Sequence, residues 1–378
     1  MNIHGHSHPY IAEKVYEQAK KLDQVIFTGF THQPAVELAE RLLPLLPGSF
    51  AKIFYSDNGS TAVEVAIKMA IQFWKNNARA DNEPKRGKIL AFKEAYHGDT
   101  FGAMSVSDRG LFTLSFQEYL FEVVFIETPN GGNIGDLRKL VNSIGQQVSC
   151  FIYEPLLQGA GGMKMYEANL MDQLLEEVQS QGIICIGDEV LTGFGRTGKM
   201  FAGDYLRNKP DIICLSKGLT GGTMALGITA ASGRIYDAFL SEDKSKTFFH
   251  GHSFTANPIA CAAANASLDL FELESCADKI SRISGKLAAL ASSMAKKYKE
   301  QFLKNIRQLG TVLAFELETE QEGYLSTAGA RVTAAAIKNG IYLRPLGNTV
   351  YLMPPYCITD DELQEISTFL LDLASQLR

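Results

Sequence analysis

Between about residues 50 and 260 the chain alternates short, continuous apolar runs with stretches whose apolar residues recur at helical spacing. The runs are AKIFYSD, KILAFKEA, EVVFIET, VSCFIYEP, GIICIGDE, DIICLSK and ITAASG. A strand covered on both faces has no polar side to show, so it reads as an unbroken apolar run. Seven such runs with helices between them predict an α/β fold built on a largely parallel sheet. Ligands of such sheets bind beyond the carboxyl ends of the strands, and the residues just after these runs are rich in polar types.

From about residue 265 the texture changes. A helical stretch is expected through residue 303, a strand around GTVLAFELE, a helix near 325–339, and then the segments GIYLRPLG and NTVYLMPPY. The last segment, TDDELQEISTFLLDLASQLR, has a capping-box pattern at Thr359 and Glu362, and Leu363, Ile366, Leu370 and Leu373 share one helical face. A smaller α+β domain follows from this. No repeat and no Pro/Ser linker separates it from the first part, so the two are expected to pack closely. The expected division is 1–14 as an N-terminal segment of the small domain, 15–264 as the large domain and 265–378 as the C-terminal small domain.

Composition narrows the class of function. At 378 residues the chain exceeds the size at which single cores stop growing. With 46% hydrophobic and 21% charged residues it can bury a sizeable core. A net charge of -6 and the lack of a dense Lys/Arg run argue against nucleic acid and against an anionic membrane surface as partners. The six cysteines are scattered, with no CxxC pair, and read as reduced core residues of a cytoplasmic protein. Neither a signal-peptide core nor a run of roughly 18 apolar residues is present.

The chemistry-bearing residues fall at the strand ends. After the first run, Asn58, Gly59, Ser60 and Thr61 open a helix whose free N–H groups and positive dipole end suit a phosphate, although Ser60 or Thr61 could simply cap it. Glu64 and Lys68 are spaced for an i,i+4 pair on that helix. Tyr96, His97 and Asp99 follow the second run, and an aromatic ring there can stack on a flat ligand or merely pack. Asp188 and Glu189 end the buried run GIICIGDE. Each needs a cation, a cap or a salt bridge, and a protonated ring nitrogen would serve. Lys217 ends DIICLSK and is followed by Gly218, Gly221 and Gly222, expected to leave room beside a bulky ring. The spacing of Asp188 and Lys217 fits adjacent β-α-β units opening on one crevice. Gly251, His252 and Ser253 form a turn ahead of the helix PIACAAANASL.

Two patterns compete with this set. GFGRTG, residues 193 to 198, matches a dinucleotide fingerprint and would suggest a nicotinamide dehydrogenase, but no strand-ending acid follows at the right distance. The overlapping GxxxxGK lacks the Ser/Thr of a phosphate loop, since Met200 follows Lys199. His4, His6 and His8 alternate like metal ligands, yet Gly5 and Pro9 favour a turn and no Cys or acid completes a set, so no metal is expected.

A phosphate cradle, a stacking ring, an acid and a rim lysine are the parts needed to hold pyridoxal phosphate. DEVLTGFGRTGKMFA followed by PDIICLSKGLTGG resembles the signature of the class III aminotransferases, of pyridoxal-phosphate fold type I, and the resemblance runs through essentially the whole chain. It implies that Lys217 is the catalytic Schiff-base lysine and Asp188 the pyridinium partner. It further implies Gly59 and Ser60 as the phosphate turn, Tyr96 as the stacking residue and Ser253 as a residue reaching the phosphate from the neighbouring subunit of a homodimer. Tyr96, Lys217, Gly251 and Arg344 are the substrate-binding positions it implies, with Arg344 gripping a carboxylate. Within the class, YHGDTFGAMSVSDRGLFT, EPLLQGAGGMKMY and YLMPPY are similar to members of biotin synthesis that move an amino group from S-adenosylmethionine to 7-keto-8-aminopelargonate. Family members usually carry several dozen residues ahead of IHGHSHP, including aromatic residues that wall the substrate pocket, so residues 1–14 are expected to be a truncated segment. The best-known members have a Pro-Thr pair at positions 252 and 253, whereas lysine-using members read more like HGHSF. Lysine therefore stands as an alternative donor, and ornithine or ω-amino-acid aminotransferases or a non-catalytic binding protein as alternative functions.

Overall fold

The computed structural model describes residues 1–78, 86–299, 301–319, 323 and 326–377. All seven apolar runs form strands of one sheet: β1 (Phe50–Ser56), β2 (Lys88–Phe92), β3 (Val124–Ile126), β4 (Val148–Tyr153), β5 (Ile184–Asp188), β6 (Ile212–Leu215) and β7 (Gly227–Ser232). Their order is β1-β7-β6-β5-β4-β2-β3. Neighbours from β6 to β3 are parallel, and β7 runs antiparallel to both β6 and β1. Because β7 reverses twice, β1 points the same way as β6. The carboxyl ends of β1, β2, β4, β5 and β6 therefore share one edge.

The unbroken apolar runs are explained by burial on both faces. Nine helices of eight or more residues are found among the described residues: α1 (Pro9–Lys21), α2 (Gln33–Leu42), α3 (Gly59–Asn77), α4 (Ile134–Ile144), α5 (Ala168–Ser180), α6 (Pro258–Leu273), α7 (Cys276–Tyr298), α8 (Ala328–Lys338) and α9 (Asp360–Leu371). Cys150, Ile152, Ile186, Ile212 and Cys214 pack against Ala62, Val63 and Ala66 of α3. The alternate residues Phe151, Tyr153 and Cys185 pack against α4 and α5. Ile213 and Leu215 enter a third cluster with α2, α6 and α7. Each large apolar side chain so buried contributes about 1.5–3 kcal/mol, and the period-2 register decides which helix receives it.

Several expectations need correction. The connection from β5 to β6 contains no α-helix, only the short 3-10 turn Ala202–Tyr205, so Asp188 and Lys217 are not joined by a β-α-β unit. Its glycines are the reason. Phe194, Gly195 and Gly198 have φ of 61°, 92° and 99°, and a Cβ on Gly195 would lie 2.3 Å from Ile280. GFGRTG is thus a loop wedged against α7, not a strand-to-helix turn. Arg196 at its centre is buried and donates from Nη1 to the carbonyl of Pro354 at 2.6 Å, while its own carbonyl accepts from Thr311 N at 2.9 Å.

Glu64 and Lys68 do not pair. Glu64 Oε1 accepts from Thr100 Oγ1 at 2.5 Å, Gly102 N at 2.6 Å and Ala103 N at 3.1 Å, capping the short helix Phe101–Val106. Lys68 Nζ lies 2.9 Å from His250 Nδ1. Two open backbone N–H groups and a hydroxyl at the start of a neighbouring helix outcompete one exposed ion pair.

The helical stretch expected to run through residue 303 breaks at Ser275, in the left-handed conformation at φ 48°, which separates α6 from α7. Beyond it, β8 (Leu303–Leu309) pairs with β9 (Val312–Leu317), and β9 with β10 (Thr349–Leu352), in a second, antiparallel sheet. The start of the helix expected near 325–339 lies partly outside the described residues. GIYLRPLG forms no strand, since Gly340 is left-handed at φ 71° and Pro345 has no N–H to give. The division expected after residue 264 falls inside α6. That helix packs on α1 and α2, whereas α7 packs on β8 and β9. At the C-terminus the capping box is present, with Thr359 N donating to Glu362 Oε2 at 2.7 Å.

Candidate functional site

A cavity of about 670 Å³ opens at the shared carboxyl edge of the seven-stranded sheet. Its floor is made by residues just past β1, β2, β4, β5 and β6, and Arg344, Leu346, Tyr351 and Met353 line it from the side of the second sheet. Gly59, Ser60, Tyr96, Asp188, Lys217 and Arg344 all line this one cavity.

Asp188 is the last residue of β5 and is 4% exposed. Its Oδ2 lies 2.7 Å from His97 Nδ1, and its Oδ1 accepts from Val190 N at 3.0 Å. The His97 side chain is fully buried, and its Nε2 has no partner among the described residues. An anion so deeply placed is held by an imidazole on one oxygen and a backbone N–H on the other, which fixes its direction. Glu189, the second carboxylate of the pair, does not line the cavity. It accepts from Thr192 Oγ1 at 2.5 Å, Ala202 N at 3.0 Å and Gly203 N at 2.6 Å, and burial pushes its pKa up to about 7.

Lys217 follows β6 by two residues, in the left-handed region at φ 46°. A non-glycine residue there carries about 1–2 kcal/mol of strain, tolerated only where the surroundings over-determine it. Gly222 N donates to the Lys217 carbonyl at 3.0 Å, and Ser216 Oγ donates to the Leu226 carbonyl at 2.8 Å. Burial lowers the pKa of the ammonium, partly offset by the charges of Asp188 and Glu154. The side chain is therefore easier to deprotonate than an ordinary lysine.

The glycines after Lys217 have a different reason from the expected one. A Cβ on Gly218 would meet Phe194 at 3.1 Å, one on Gly221 would meet Ile11 at 3.0 Å and His4 at 3.1 Å, and one on Gly222 would meet the backbone of Met1 at 2.6 Å. Room is needed behind the loop, for Phe194 at Gly218 and for the N-terminal residues at Gly221 and Gly222, and Gly221 and Gly222 are also left-handed at φ 62° and 79°.

At the start of α3, Asn58 is the cap. Its Oδ1 accepts from Thr61 N at 2.9 Å, and its own N–H goes to Thr61 Oγ1 at 3.1 Å. Among the described residues nothing accepts from the N–H of Gly59 or Ser60. Ser60 Oγ accepts from Asp99 N at 3.2 Å, and Gly98 approaches so closely that a Cβ there would lie 2.0 Å from that oxygen. Two free donors at a helix start, beside a hydroxyl, form an anion cradle.

Sequence reasoning missed Glu154. It follows β4 directly, is 4% exposed, and accepts from Tyr96 N at 3.2 Å and Gly159 N at 3.0 Å. Burial raises its pKa to about 7, against the lowering effect of His97. The signal was available, because VSCFIYEP ends a buried strand with a carboxylate just as GIICIGDE does. Tyr96, held by this contact, sets its ring 5.9 Å from that of Phe112.

Gly251, His252 and Ser253 do not line the cavity within one chain. Gln24 Nε2 donates to the Ser253 carbonyl, and His252 Nε2 lies 4.0 Å from Asp57 Oδ1, beside the start of α3. Asn257, not Ser253, caps α6, accepting from Ile259 N and Ala260 N at 3.1 Å. Arg344 sits in the loop before β10, exposed, with no carboxylate within ion-pair distance among the described residues. His4 and His8 go to separate partners, Ser267 and Glu274, and no group of metal-ligating side chains occurs among the described residues. Five of the six free cysteines are buried, and Cys357 is exposed. No helix among the described residues is long and apolar enough to cross a membrane.

Comparison with known proteins bears on this geometry. The family model described as Aminotransferase class-III matches residues 1–373. The adenosylmethionine-8-amino-7-oxononanoate aminotransferase of Synechococcus elongatus is 45% identical over 387 aligned residues, covering 100% of this chain and 89% of that protein. The protein of the same name from Helicobacter pylori is 36% identical, covering 100% and 86%. Among solved structures, adenosylmethionine-8-amino-7-oxononanoate aminotransferase from Methanocaldococcus jannaschii superposes with a TM-score of 0.91 at 35% identity, covering 99% of this chain and 86% of that one. An amine transaminase from an uncultivated Pseudomonas species, in its PLP-bound form, gives 0.87 at 31%, covering 98% and 87%.

Proposed function

The chain belongs to the class III aminotransferases, and from that premise we propose that it uses pyridoxal phosphate to transfer an amino group from S-adenosylmethionine to 7-keto-8-aminopelargonate, giving 7,8-diaminopelargonate for biotin synthesis. The observation that carries the site reading is the meeting of Lys217, Asp188 and the open start of α3 in one cavity. The residues fit the cofactor. The N–H groups of Gly59 and Ser60 would hold its phosphate, the Tyr96 ring would cover its ring face, and Asp188 would keep its ring nitrogen protonated. Lys217 would hold its aldehyde carbon covalently.

When bound, pyridoxal phosphate supplies an electron-accepting ring that takes up the pair left when a substrate Cα–H bond breaks. The chain's own residues do the rest. His97 and the N–H of Val190 fix the direction of the Asp188 carboxylate, so its charge is already oriented and needs no reorganisation. Burial favours the neutral amine at Lys217 Nζ, which makes that atom a base able to take a proton and return it nearby. Arg344, across the cavity, offers a planar guanidinium for a substrate carboxylate. Glu154 holds the backbone of Tyr96 and Gly159 in place.

The active unit in this reading is a cytoplasmic homodimer. Gly251 and Ser253, which stay off the cavity of their own chain, would reach that of the second copy. The large cofactor-binding unit would extend to the end of α6, with α7 onwards forming the smaller one.

Purified protein supplied with pyridoxal phosphate is expected to show a visible absorption band that Lys217→Ala abolishes. S-adenosylmethionine should bleach the band, and 7-keto-8-aminopelargonate should restore it. Bleaching by lysine instead would reassign the donor, and bleaching by ornithine or 4-aminobutyrate alone would refute the biotin assignment.

A further inference from the structure

Of the histidines in the N-terminal stretch, His4 lies directly behind the loop that carries Lys217. Residues 1–8 run between α6 and the segment after β10, with Tyr356 N donating to the Ile3 carbonyl at 2.7 Å. His4 is 3% exposed and stands edge-on to Phe271 at 5.6 Å. Its Nε2 lies 3.0 Å from Ser267 Oγ of α6, and Ser267 is fully buried. Ser267 Oγ in turn lies 3.4 Å from the carbonyl of Gly218, the residue next to Lys217. A hydroxyl that gives its one proton to Gly218 can only accept from His4, which sets the proton of His4 on Nε2.

We propose that His4 and Ser267 are positioning residues for Lys217, a buried hydrogen-bond chain running from His4 Nε2–H to Ser267 Oγ and from Ser267 O–H to the Gly218 carbonyl. The chain holds from behind a backbone that is strained at Lys217 and left-handed again at Gly221 and Gly222. Gly221 allows the close approach of His4, at 3.1 Å from its missing Cβ. Burial lowers the pKa of His4 to about 4, so the imidazole stays neutral and keeps its other nitrogen as an acceptor facing Cys276 Sγ at 4.0 Å. The inference rests on the reading of Lys217 as the residue that bonds the cofactor.

Hydrogen–deuterium exchange of the cofactor-free protein tests the brace without activity. Ser267→Ala is expected to speed exchange of the amides of residues 217–222 about five-fold, the equivalent of about 1 kcal/mol of net hydrogen bonding. Exchange in β4 should stay unchanged. His4→Phe, which keeps the bulk without the donor, should do the same, and His4→Gln, which keeps a donor at similar reach, should restore the wild-type rate. In the loaded enzyme Ser267→Ala should lower kcat several-fold with both KM values within two-fold. Exchange within two-fold of wild type at 217–222 in both Ser267→Ala and His4→Phe overturns the brace. A Lys217→Ala protein that keeps its visible band overturns the role of Lys217 and the proposal with it, even where the exchange effect is found.

Discussion

Replacing Gly98 by alanine tests the anion cradle most directly. Gly98 has φ 132°, a conformation that residues with a side chain rarely adopt, and its missing Cβ would lie 2.0 Å from Ser60 Oγ, 2.6 Å from Ser60 Cβ and 2.9 Å from Ser60 Cα. Rotating the serine cannot relieve all three contacts, because one of them is backbone. The strained backbone costs of order 1–3 kcal/mol and the overpacking about 1–3 kcal/mol more, so Gly98→Ala should lose about 2–6 kcal/mol. For a protein of this length that lowers the melting temperature by about 3–8 °C. To reach ordinary contact, Ser60 must retreat by about 1.4 Å, enough to break a hydrogen bond. If its N–H and hydroxyl hold the phosphate, losing one charge-assisted hydrogen bond weakens the cofactor by about 1.5–3 kcal/mol, or about 10- to 100-fold in Kd. Absorbance titration with pyridoxal phosphate, run beside thermal melting of the cofactor-free protein, measures both quantities. A variant that melts normally and binds within two-fold of wild type would refute the close approach of Gly98 to Ser60. One that is destabilised but binds normally would move the phosphate elsewhere.

Further outcomes follow from the same geometry. Lys217→Met should raise the stability of the cofactor-free protein at neutral pH. The folded pKa of Lys217 lies below its unfolded value, so the unfolded chain binds the extra proton, and the advantage of Met should shrink as pH rises toward about 10.4 in denaturant titrations. Glu154 has a folded pKa of about 7, above the ordinary value of 4.5, so its contribution to stability is full at low pH and is lost as pH rises through 7. Glu154→Gln should flatten the fall in unfolding free energy between those limits by about 3 kcal/mol, and an unchanged slope would exclude the group. Arg344→Ala should raise the KM of the keto acid about 10- to 100-fold and leave bleaching by the donor unaffected in stopped-flow absorbance.

The seven strands were legible because burial on both faces leaves an unambiguous apolar run, and the residues that follow each run could be placed on one edge. Asp188 and Lys217 were legible for the same reason, as charges where a buried strand stops. What the residues do not encode locally was misread. The helix expected between β5 and β6 is absent because Gly195 and Gly198 serve contacts with Ile280 and Tyr205, far away in sequence or across the turn. Glu64 turned to a second helix whose open N–H groups no helical spacing reveals. The glycines after Lys217 were assigned to the ligand side, yet Gly218 answers to Phe194, and Gly221 and Gly222 answer to His4, Ile11 and Met1, more than 200 positions away in the chain. Glu154 carried the same signal as Asp188 and was passed over, since its partners are backbone N–H groups that no residue type announces.

The loop between β5 and β6 has a consequence for anyone who would rebuild this protein. Crossovers are ordinarily where a chain accepts inserted sequence, new termini or a tag. Here the crossover is pinned at its middle to the second sheet: Arg196 reaches Pro354, Thr311 returns to the Arg196 carbonyl, and a Cβ on Gly310 would strike the backbone of Thr197 at 2.1 Å. Its two ends are Asp188 and, through β6, Lys217. Lengthening it would slacken both strand ends and unseat the second sheet in the same stroke. Library design should therefore leave residues 189–211 at their native length and seek diversity on the opposite, amino-terminal edge of the strands.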